Sequence, residues 1–239
     1  VGDGSGALKG IVYAIAVSGT DVYVGGSFEN ADNLPAADYI AKWNGVNWSA
    51  LNADSLGNGS LKNTVYALAV SGTDLYAGGQ FSDVWNGGGS LDAADYIAKW
   101  DGTNWSALGG NGAGGGSINS FVYAIAVNGT DVYAGGAFTD VNNNGALLTA
   151  ADRIAKWNGT NWSALGSDGA GGGSLNGDVK AIAVSGTNIY AGGFFTDVNN
   201  GGTVLGAADY IAKWDGANWS ALGSNGSSNG SLLSGVRAL

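Results

Sequence analysis

Cysteine, histidine and methionine are absent from this chain of 239 residues, and Pro35 is its only proline. Without cysteine, neither disulfide bonds nor thiol chemistry can contribute. Without histidine, the chain lacks the commonest general base and the commonest ligand of transition metals. The absence of even an initiator methionine predicts that Val1 is a processed end or a cut within a longer polypeptide. Together, these absences argue against an enzyme.

Positive charge is also scarce in the sequence. Nine lysines and arginines stand against nineteen acidic residues, which gives a net charge of −10, and Glu29 is the only glutamate. Such a surface repels phosphates and anionic lipids, so we expect no nucleic-acid partner. No apolar run approaches the roughly 20 residues of a membrane span and no signal peptide is visible, so no membrane insertion is expected. The acidic surface suits metal cations or neutral ligands such as sugars.

The sequence does contain one motif that is repeated four times. Two tryptophans recur together at intervals of 57 residues. The pairs are Trp43 and Trp48, Trp100 and Trp105, Trp157 and Trp162, and Trp214 and Trp219. The surrounding phrase reads YIAKWNGVNW in the first copy and RIAKWNGTNW in the third. A period of this length, with several short apolar runs inside it, indicates a radial or stacked β architecture.

Each copy of the repeat predicts four strands. In the first copy the strand-like runs lie at 12–17, 22–24, 39–43 and 46–51, with turn residues between them. This pattern favours an antiparallel meander. The predicted fold class is therefore all-β: a β-propeller of four-stranded antiparallel blades of about 57 residues, with four complete blades plus the first strand of a fifth. One repeat domain spans 1–239, with blades at about 11–53, 64–110, 121–167 and 178–224, a linker at 1–10 and the start of a fifth repeat at 235–239.

The Asn44-Gly45 pair predicts how the last two strands of a copy meet. Asn-Gly between two strands is typical of a two-residue type I′ hairpin. That turn would pair Trp43 with Val46 and place Tyr39, Trp43 and Trp48 on one face. The aromatic face would either pack against the next blade or stack on sugar rings. We favour packing for all eight repeated tryptophans, because blade faces are buried against each other in a propeller.

The repeated phrase resembles a known repeat family. The motif is similar to a kelch-like repeat of bacterial secreted and surface proteins, roughly LYxGGxF…NIAKWNGxxWSALGxG. In the first copy the matching residues are Gly25-Gly26, Phe28, the run 40–45 and the run 48–51. The resemblance covers nearly all of the chain. It implies an extracellular or cell-surface propeller, usually one part of a longer chain. It carries over no catalytic residue, because the redox enzymes of this fold need cysteine and histidine at a copper ion.

The loop of the third copy contains a candidate calcium site. The run 140–145 reads Asp-Val-Asn-Asn-Asn-Gly, which matches the opening of a calcium-binding loop. Asp140, Asn142 and Asn144 are the candidate ligands. The glutamate expected at the twelfth position is absent, and Ala151 stands there. The alternative is an Asn/Gly-rich turn in which Asp140 caps backbone N–H groups. Calcium is the only cofactor that the sequence raises.

Two further features concern contacts rather than chemistry. Trp85 is the only tryptophan outside the repeated pairs, and it either contacts a partner chain or sugar or packs back on its own blade. An aspartate precedes the third strand of every copy, four residues before a lysine. We expect the aspartate to bond a turn and the lysine to pair with a neighbouring blade. A paired-carboxylate hydrolase is the alternative, but four equivalent copies do not supply two carboxylates in different environments.

The sequence leaves two functional hypotheses open. The first is a non-enzymatic extracellular structural or adhesive module that self-associates, as a homo-oligomer or fibre, or belongs to a longer repeat assembly. It rests on the repeat and on the last residues, 236–239, which are in phase with 12–15 and leave an edge that invites pairing. Two chains forming one larger ring is a variant of it. The second is a carbohydrate-binding lectin with repeated sites between blades.

Overall fold

A computed structural model describes residues 6–227 and 229–239, so residues 1–5 of the predicted linker lie outside it. Four antiparallel sheets of four strands repeat along these residues. Sheet I contains β1 (Val12–Ser18), β2 (Asp21–Gly26), β3 (Ile40–Trp43) and β4 (Trp48–Ser49). The predicted all-β class with repeated four-stranded antiparallel sheets is confirmed.

The other three sheets each carry a small hairpin between their second and third strands. Sheet II and its hairpin comprise β5 (Val65–Ser71), β6 (Asp74–Gly79), β7 (Val84–Trp85), β8 (Ser90–Leu91), β9 (Ile97–Trp100) and β10 (Trp105–Ala107). Sheet III and its hairpin comprise β11 (Val122–Asn128), β12 (Asp131–Gly136), β13 (Val141–Asn143), β14 (Ala146–Leu148), β15 (Ile154–Trp157) and β16 (Trp162–Ala164). Sheet IV and its hairpin comprise β17 (Val179–Ser185), β18 (Asn188–Gly193), β19 (Val198–Asn200), β20 (Thr203–Leu205), β21 (Ile211–Trp214) and β22 (Trp219–Ala221).

Sheet I has a short 3₁₀ helix (Ala31–Asn33) in place of the hairpin. It is the one helix among the described residues, and none of them forms a helix long and apolar enough to cross a bilayer.

The first strand of every sheet pairs with the second and contains a β-bulge. In sheet I a two-residue turn joins them, and Gly19 supplies the left-handed backbone that it needs (φ 60°). The bulge falls at Tyr13 in sheet I, and at Tyr66, Tyr123 and Lys180 in the others. Because a bulge re-aims its side chain, these four residues leave the regular alternation of the strand.

Consecutive sheets pack face to face. We call the face that meets the next sheet the front face, and the face that meets the preceding sheet the rear face. Between sheets I and II, the front face contributes buried Tyr23 and Ile40, and the rear face contributes Val65, Leu75 and Trp105. Equivalent residues form the layers between sheets II and III and between III and IV. The core therefore consists of three equivalent apolar layers and a smaller fourth cluster on the rear side of sheet I, which includes Val24, Phe28 and Ala41.

A glycine in each second strand lets neighbouring sheets approach closely. A Cβ built on Gly25 would lie 2.6 Å from Cγ1 of Val65, and one built on Gly78 would lie 2.6 Å from Cγ1 of Val122. Carbon atoms do not approach so closely without strain, so each valine fills the space that a missing side chain leaves. The first glycine of the repeated Gly-Gly pair is thus required by the layer between sheets.

The first strands of neighbouring sheets lie side by side. Strand β1 contacts β5, β5 contacts β11, and β11 contacts β17. Four-stranded sheets that stack face to face with their first strands adjacent have the arrangement of propeller blades. The fold is therefore propeller-like.

The predicted two-residue turn at Asn44-Gly45 is wrong. Trp43 pairs directly with Trp48, so the turn contains four residues. The side-chain oxygen of Asn44 accepts hydrogen bonds from the N–H groups of the third and fourth turn residues, at 2.9 and 2.8 Å. Of the turn residues, only Gly45 has positive φ (94°). A turn closed by the asparagine side chain therefore replaces the type I′ turn.

Tyr39 does not share the face of Trp43 and Trp48 that strand alternation predicted. It packs in the layer between sheets I and II, whereas Trp48 packs on the rear side of sheet I. Tyr39 has φ 60°, and the N–H of Ile40 donates to the carbonyl of Asp38 at 2.7 Å. This tight turn directly before β3 breaks the alternation. No face of three aromatic side chains results.

Candidate functional site

One end of the row of sheets exposes a face that is covered in the other sheets. On the rear face of sheet I, Ile15 and Val17 are each 62% exposed. Val12 is 37% exposed, whereas its equivalents Val65 and Val122 are 0% exposed. The rear end face, as we call it, is formed by Val12, Ile15, Val17, Trp43 and Trp48. Among the described residues no sheet covers this apolar face, although the loop that contains Phe28 and Leu34 buries Val24 and Ala41 on the same side.

The opposite end exposes the complementary face of sheet IV. Ile211 is partly exposed there, whereas its equivalents Ile40 and Ile154 are 1% and 2% exposed. Tyr190 is partly exposed as well, whereas Tyr133 is 7% exposed. The front end face, as we call it, is formed by Tyr190, Gly192 and Ile211. Each end therefore presents one half of a layer that the chain forms three times internally.

The segment Val236–Leu239 covers part of the front end face. A Cβ built on Gly192 would lie 2.6 Å from Cγ1 of Val236, much as one on Gly135 would lie 2.5 Å from Cγ1 of Val179. Val236 follows Val179 by 57 residues. The segment therefore occupies the place that the first strand of a fifth sheet would take.

A column of aromatic and basic side chains runs along the bulge positions of the first strands. The rings of Tyr13 and Tyr66 are 5.3 Å apart, and those of Tyr66 and Tyr123 are 5.4 Å apart. The ammonium of Lys180 lies 3.1 Å from the centre of the Tyr123 ring, a cation–π contact. Burial raises the pKa of Tyr66. Arg237 follows Lys180 by 57 residues. The sequence shows that tyrosine is replaced by lysine and then arginine at this position of the later copies. It does not show that the side chains stack.

Two equivalent cavities lie where a linker meets the hairpin of the following sheet. Their volumes are about 380 Å³ and 310 Å³. The first is lined by Asn111, Ser117, Asn119, Asp140 and Asn142, and the second by Asp168, Ser174, Asn176, Asp197 and Asn199. Each member of the second set follows its counterpart by 57 residues. Sequence reasoning found only the hairpin residues, because the linker residues lie about 20 positions away with no local signal.

Polar groups line both cavities, but the two serine hydroxyls do not reach the open space. The hydroxyls of Ser117 and Ser174 are buried without a hydrogen-bond partner. In the second cavity Asp168 takes the place of Asn111, which adds a carboxylate. Hydrogen bonds from backbone N–H groups, above all that of Ala170, hold the pKa of Asp168 below its usual value. The cavities can therefore offer amide and carboxylate groups to a polar ligand.

The three calcium candidates lie in and beside the β13–β14 hairpin. Asn144 and Gly145 form its two-residue turn, with φ 54° and 95°. The side-chain oxygen of Asn142 accepts the N–H of Gly145 at 2.7 Å. Asp140 and Asn142 line the first cavity, and Asn144 is not among the residues that line it. The described residues contain no group of three or more acidic side chains that could hold a metal ion.

The aspartates before the third strands bond turns and linkers. One oxygen of Asp152 accepts the N–H of Asp140 at 2.7 Å, and the other accepts the N–H of Gly173 at 3.0 Å. Asp152 thus ties the loop of its own sheet to the linker that follows. In sheets I to III the lysine pairs within its own sheet, as Lys156 does with Asp131 at 3.2 Å. The prediction that these lysines pair with a neighbouring blade is therefore wrong, because the second strand places an aspartate beside each of them; sheet IV has Asn188 at that position.

Trp85 lies in strand β7 and is partly buried. Its backbone N–H donates to the carbonyl of Ser60 at 3.0 Å. The equivalent residue of the third copy, Asn142, donates to the carbonyl of Ser117 at 2.8 Å. The backbone at Trp85 therefore belongs to the regular connection between hairpin and linker.

The chain matches no model of a known protein family, and no curated protein matches it. Solved structures with a similar course of the chain include a computationally designed protein, Ika4, at 18% identity and a TM-score of 0.38, with 82% of this chain and 89% of that one covered. Another is the WD40 β-propeller domain of Doa1, at 9% identity and a TM-score of 0.47. That comparison covers 86% of this chain and 62% of the Doa1 chain.

Proposed function

We propose that this chain is a non-enzymatic structural or adhesive module that joins a second copy end to end. The observation that carries the proposal is the pair of end faces, which are the two halves of one layer. The rear end face offers Val12, Ile15 and Val17. The front end face offers the space above Gly192 into which the valine of a first strand fits, and we call this space the seat. The layer is already formed three times within the chain, so its geometry is compatible with this sequence.

The driving force for this association is burial of apolar surface. Ile15 and Val17 are each 62% exposed, and burying such side chains contributes about 1.5–3 kcal/mol each when complete. The interface is heterologous, because one face meets a different face of the next copy. Repeated addition then gives a closed ring or an open fibre, depending on the rotation per copy. A propeller closed by two chains is one such ring.

The proposal extends to an extracellular or cell-surface location. It is supported by the resemblance of the repeated phrase to secreted and surface proteins of bacteria. The absence of cysteine is compatible with that location, since a rigid repeat stack needs no disulfide bonds.

We expect an Ile15→Asp variant to weaken the association of copies strongly. A carboxylate on the rear end face would have to be buried without a partner, which weakens binding by at least about tenfold. Sedimentation velocity over the micromolar to millimolar range measures the effect, and electron microscopy distinguishes rings from fibres. Leu56→Asp is the matched control, because Leu56 is 83% exposed outside the end faces. The proposal fails if Ile15→Asp and Leu56→Asp associate equally well.

A second candidate function is a lectin that binds neutral sugars, and the two equivalent cavities favour it. Cavities of this size, lined by polar side chains, suit a small polar ligand. The carboxylates of Asp140 and Asp197 would accept hydrogen bonds from sugar hydroxyls. Calcium, held by Asp140 and Asn142 together with ligand oxygens, is the alternative occupant of the first cavity.

The lectin hypothesis predicts two independent sites per chain. We expect Asp140→Ala to halve the stoichiometry of binding to any neutral oligosaccharide found on a glycan array, as measured by calorimetry. Asp92→Ala is the control, because Asp92 is exposed and outside both cavities. A titration with calcium alone separates the metal from the sugar. Unchanged stoichiometry in Asp140→Ala would exclude the first cavity as a sugar site.

A further inference from the structure

We propose that the front end face is the seat of strand β1 of a second copy, and that the chain's own segment Val236–Leu239 is a weaker occupant that gives way to it. This inference rests on the proposed end-to-end association. It names the surface and the element of the partner that fills it. It also makes the segment a competitor that controls how readily copies join.

The seat is the same one that first strands fill inside the chain. A Cβ on Gly135 would meet Val179 and Ile182, and a Cβ on Gly192 would meet Val236 and Leu239. In both cases the valine and the larger apolar residue are three positions apart. The segment therefore reproduces the contact of a first strand, and only one strand at a time can fill the seat.

Strand β1 carries the same contact residues on an exposed face. Val12 and Ile15 have the same spacing as Val236 and Leu239. They are 37% and 62% exposed, so they are available to a second copy. The two residues between them, Tyr13 and Ala14, are uncharged. The rear end face can therefore enter the seat without burying a charge.

Strand β1 is the better occupant because its own sheet holds it in place. It pairs with β2 along its length, from Ser18 opposite Asp21 to Val12 opposite Gly26. The segment Val236–Leu239 belongs to no strand, and the N–H of Val236 donates to the carbonyl of Gly193 at 3.1 Å. Leu239 remains 51% exposed. A preorganised strand loses less conformational entropy on docking than a loose segment does.

The aromatic column gives a second reason for the exchange. Arg237 lies 5.1 Å from the centre of the Phe194 ring, and Lys180 lies 5.8 Å from the same ring, so two cations share it. Docking of β1 would put Tyr13 where Arg237 now stands. One positive charge then leaves, and Lys180 gains a third aromatic ring beside those of Tyr123 and Phe194. The column of one copy would continue into the next.

The test compares this chain with a variant that ends at Gly235. Removing a competitor raises the fraction of binding-competent molecules, so we expect the dissociation constant for self-association to fall roughly tenfold. Sedimentation velocity measures it, and circular dichroism checks that sheet IV stays folded. A Val236→Asp variant of the 239-residue chain serves as a second test, because it should vacate the seat while keeping all residues present. A synthetic peptide of residues 231–239 should reverse the gain.

The outcomes separate this inference from the proposed function. If the full chain associates and neither variant associates more tightly, the competitor role is overturned while end-to-end association stands. If neither the full chain nor the variants associate, both are overturned. If only the variants associate, the inference is supported, and the segment is a cap that blocks the seat. An Ile15→Asp change in the shortened chain must abolish the gain, since it removes the occupant.

Discussion

Replacing Gly136 with alanine is expected to lower the free energy of unfolding by about 3 kcal/mol. A Cβ at this position would overlap the carbonyl oxygen of Phe121. That oxygen cannot move aside cheaply, because it accepts the N–H of Ala137 at 2.9 Å, directly beside the end of the β11–β12 pairing. The added methyl group must therefore break a hydrogen bond between backbone groups or separate the strands.

Chemical denaturation with urea measures the loss, and the chain offers a matched control. Gly89 has no atom within 4 Å of a built Cβ and no positive φ. Gly89→Ala should therefore change stability by no more than about 0.5 kcal/mol, and in the stabilising direction through the unfolded state. Equal stability of Gly136→Ala and Gly89→Ala would contradict the close approach that we describe.

Truncating Trp162 to alanine is the second large effect, with an expected loss of about 3–5 kcal/mol. Trp162 is 2% exposed, and its indole N–H donates to the carbonyl of Leu108 at 2.7 Å. The rings of Trp157 and Trp162 lie 5.5 Å apart. The truncation leaves a cavity between sheets and deprives the Leu108 carbonyl of its indole donor.

Trp48 is the matched control for this prediction, because it holds the same place in sheet I. It is only partly buried on the rear end face, and its ring still lies 5.5 Å from that of Trp43. We expect Trp48→Ala to cost less than half as much as Trp162→Ala, since there is no preceding sheet to leave a cavity against. Thermal unfolding of dilute, monomeric protein checks the difference. Equal losses would mean that these tryptophans stabilise the fold through contacts within the hairpin and not through the layer between sheets.

The sequence predicted the strands and the repeat because both depend on local signals. Apolar runs of strand length, Gly-Gly pairs and turn residues recur at a fixed interval. It failed at the hairpin after Trp43, where the side chain of Asn44 bonds two N–H groups and lengthens the turn. It failed again at Tyr39, whose left-handed backbone has no signal in a residue that prefers extended structure. Both failures come from side-chain bonds and strain rather than from periodicity.

The candidate sites were harder to predict than the strands. The type I′ turn expected in the main sheets occurs instead at Asn144-Gly145, inside the stretch that resembled a calcium loop. Ser117 and Ser174 line their cavities from linkers, and only the packing of linker against hairpin brings them there. The end faces depend on which sheet has a neighbour. For that reason Ile15 is more exposed than its equivalents Ile125 and Ile182, although all three are isoleucines.

Because each layer joins only neighbouring sheets, the stability of the molecule is a sum of sheet terms and nearest-neighbour couplings. Sheets II and III each have two couplings, and sheets I and IV have one apiece. Fraying from the outside inward is therefore the cheapest way for the chain to open. Every copy added at an end would convert a terminal sheet into an internal one, so growth of the assembly would itself suppress fraying.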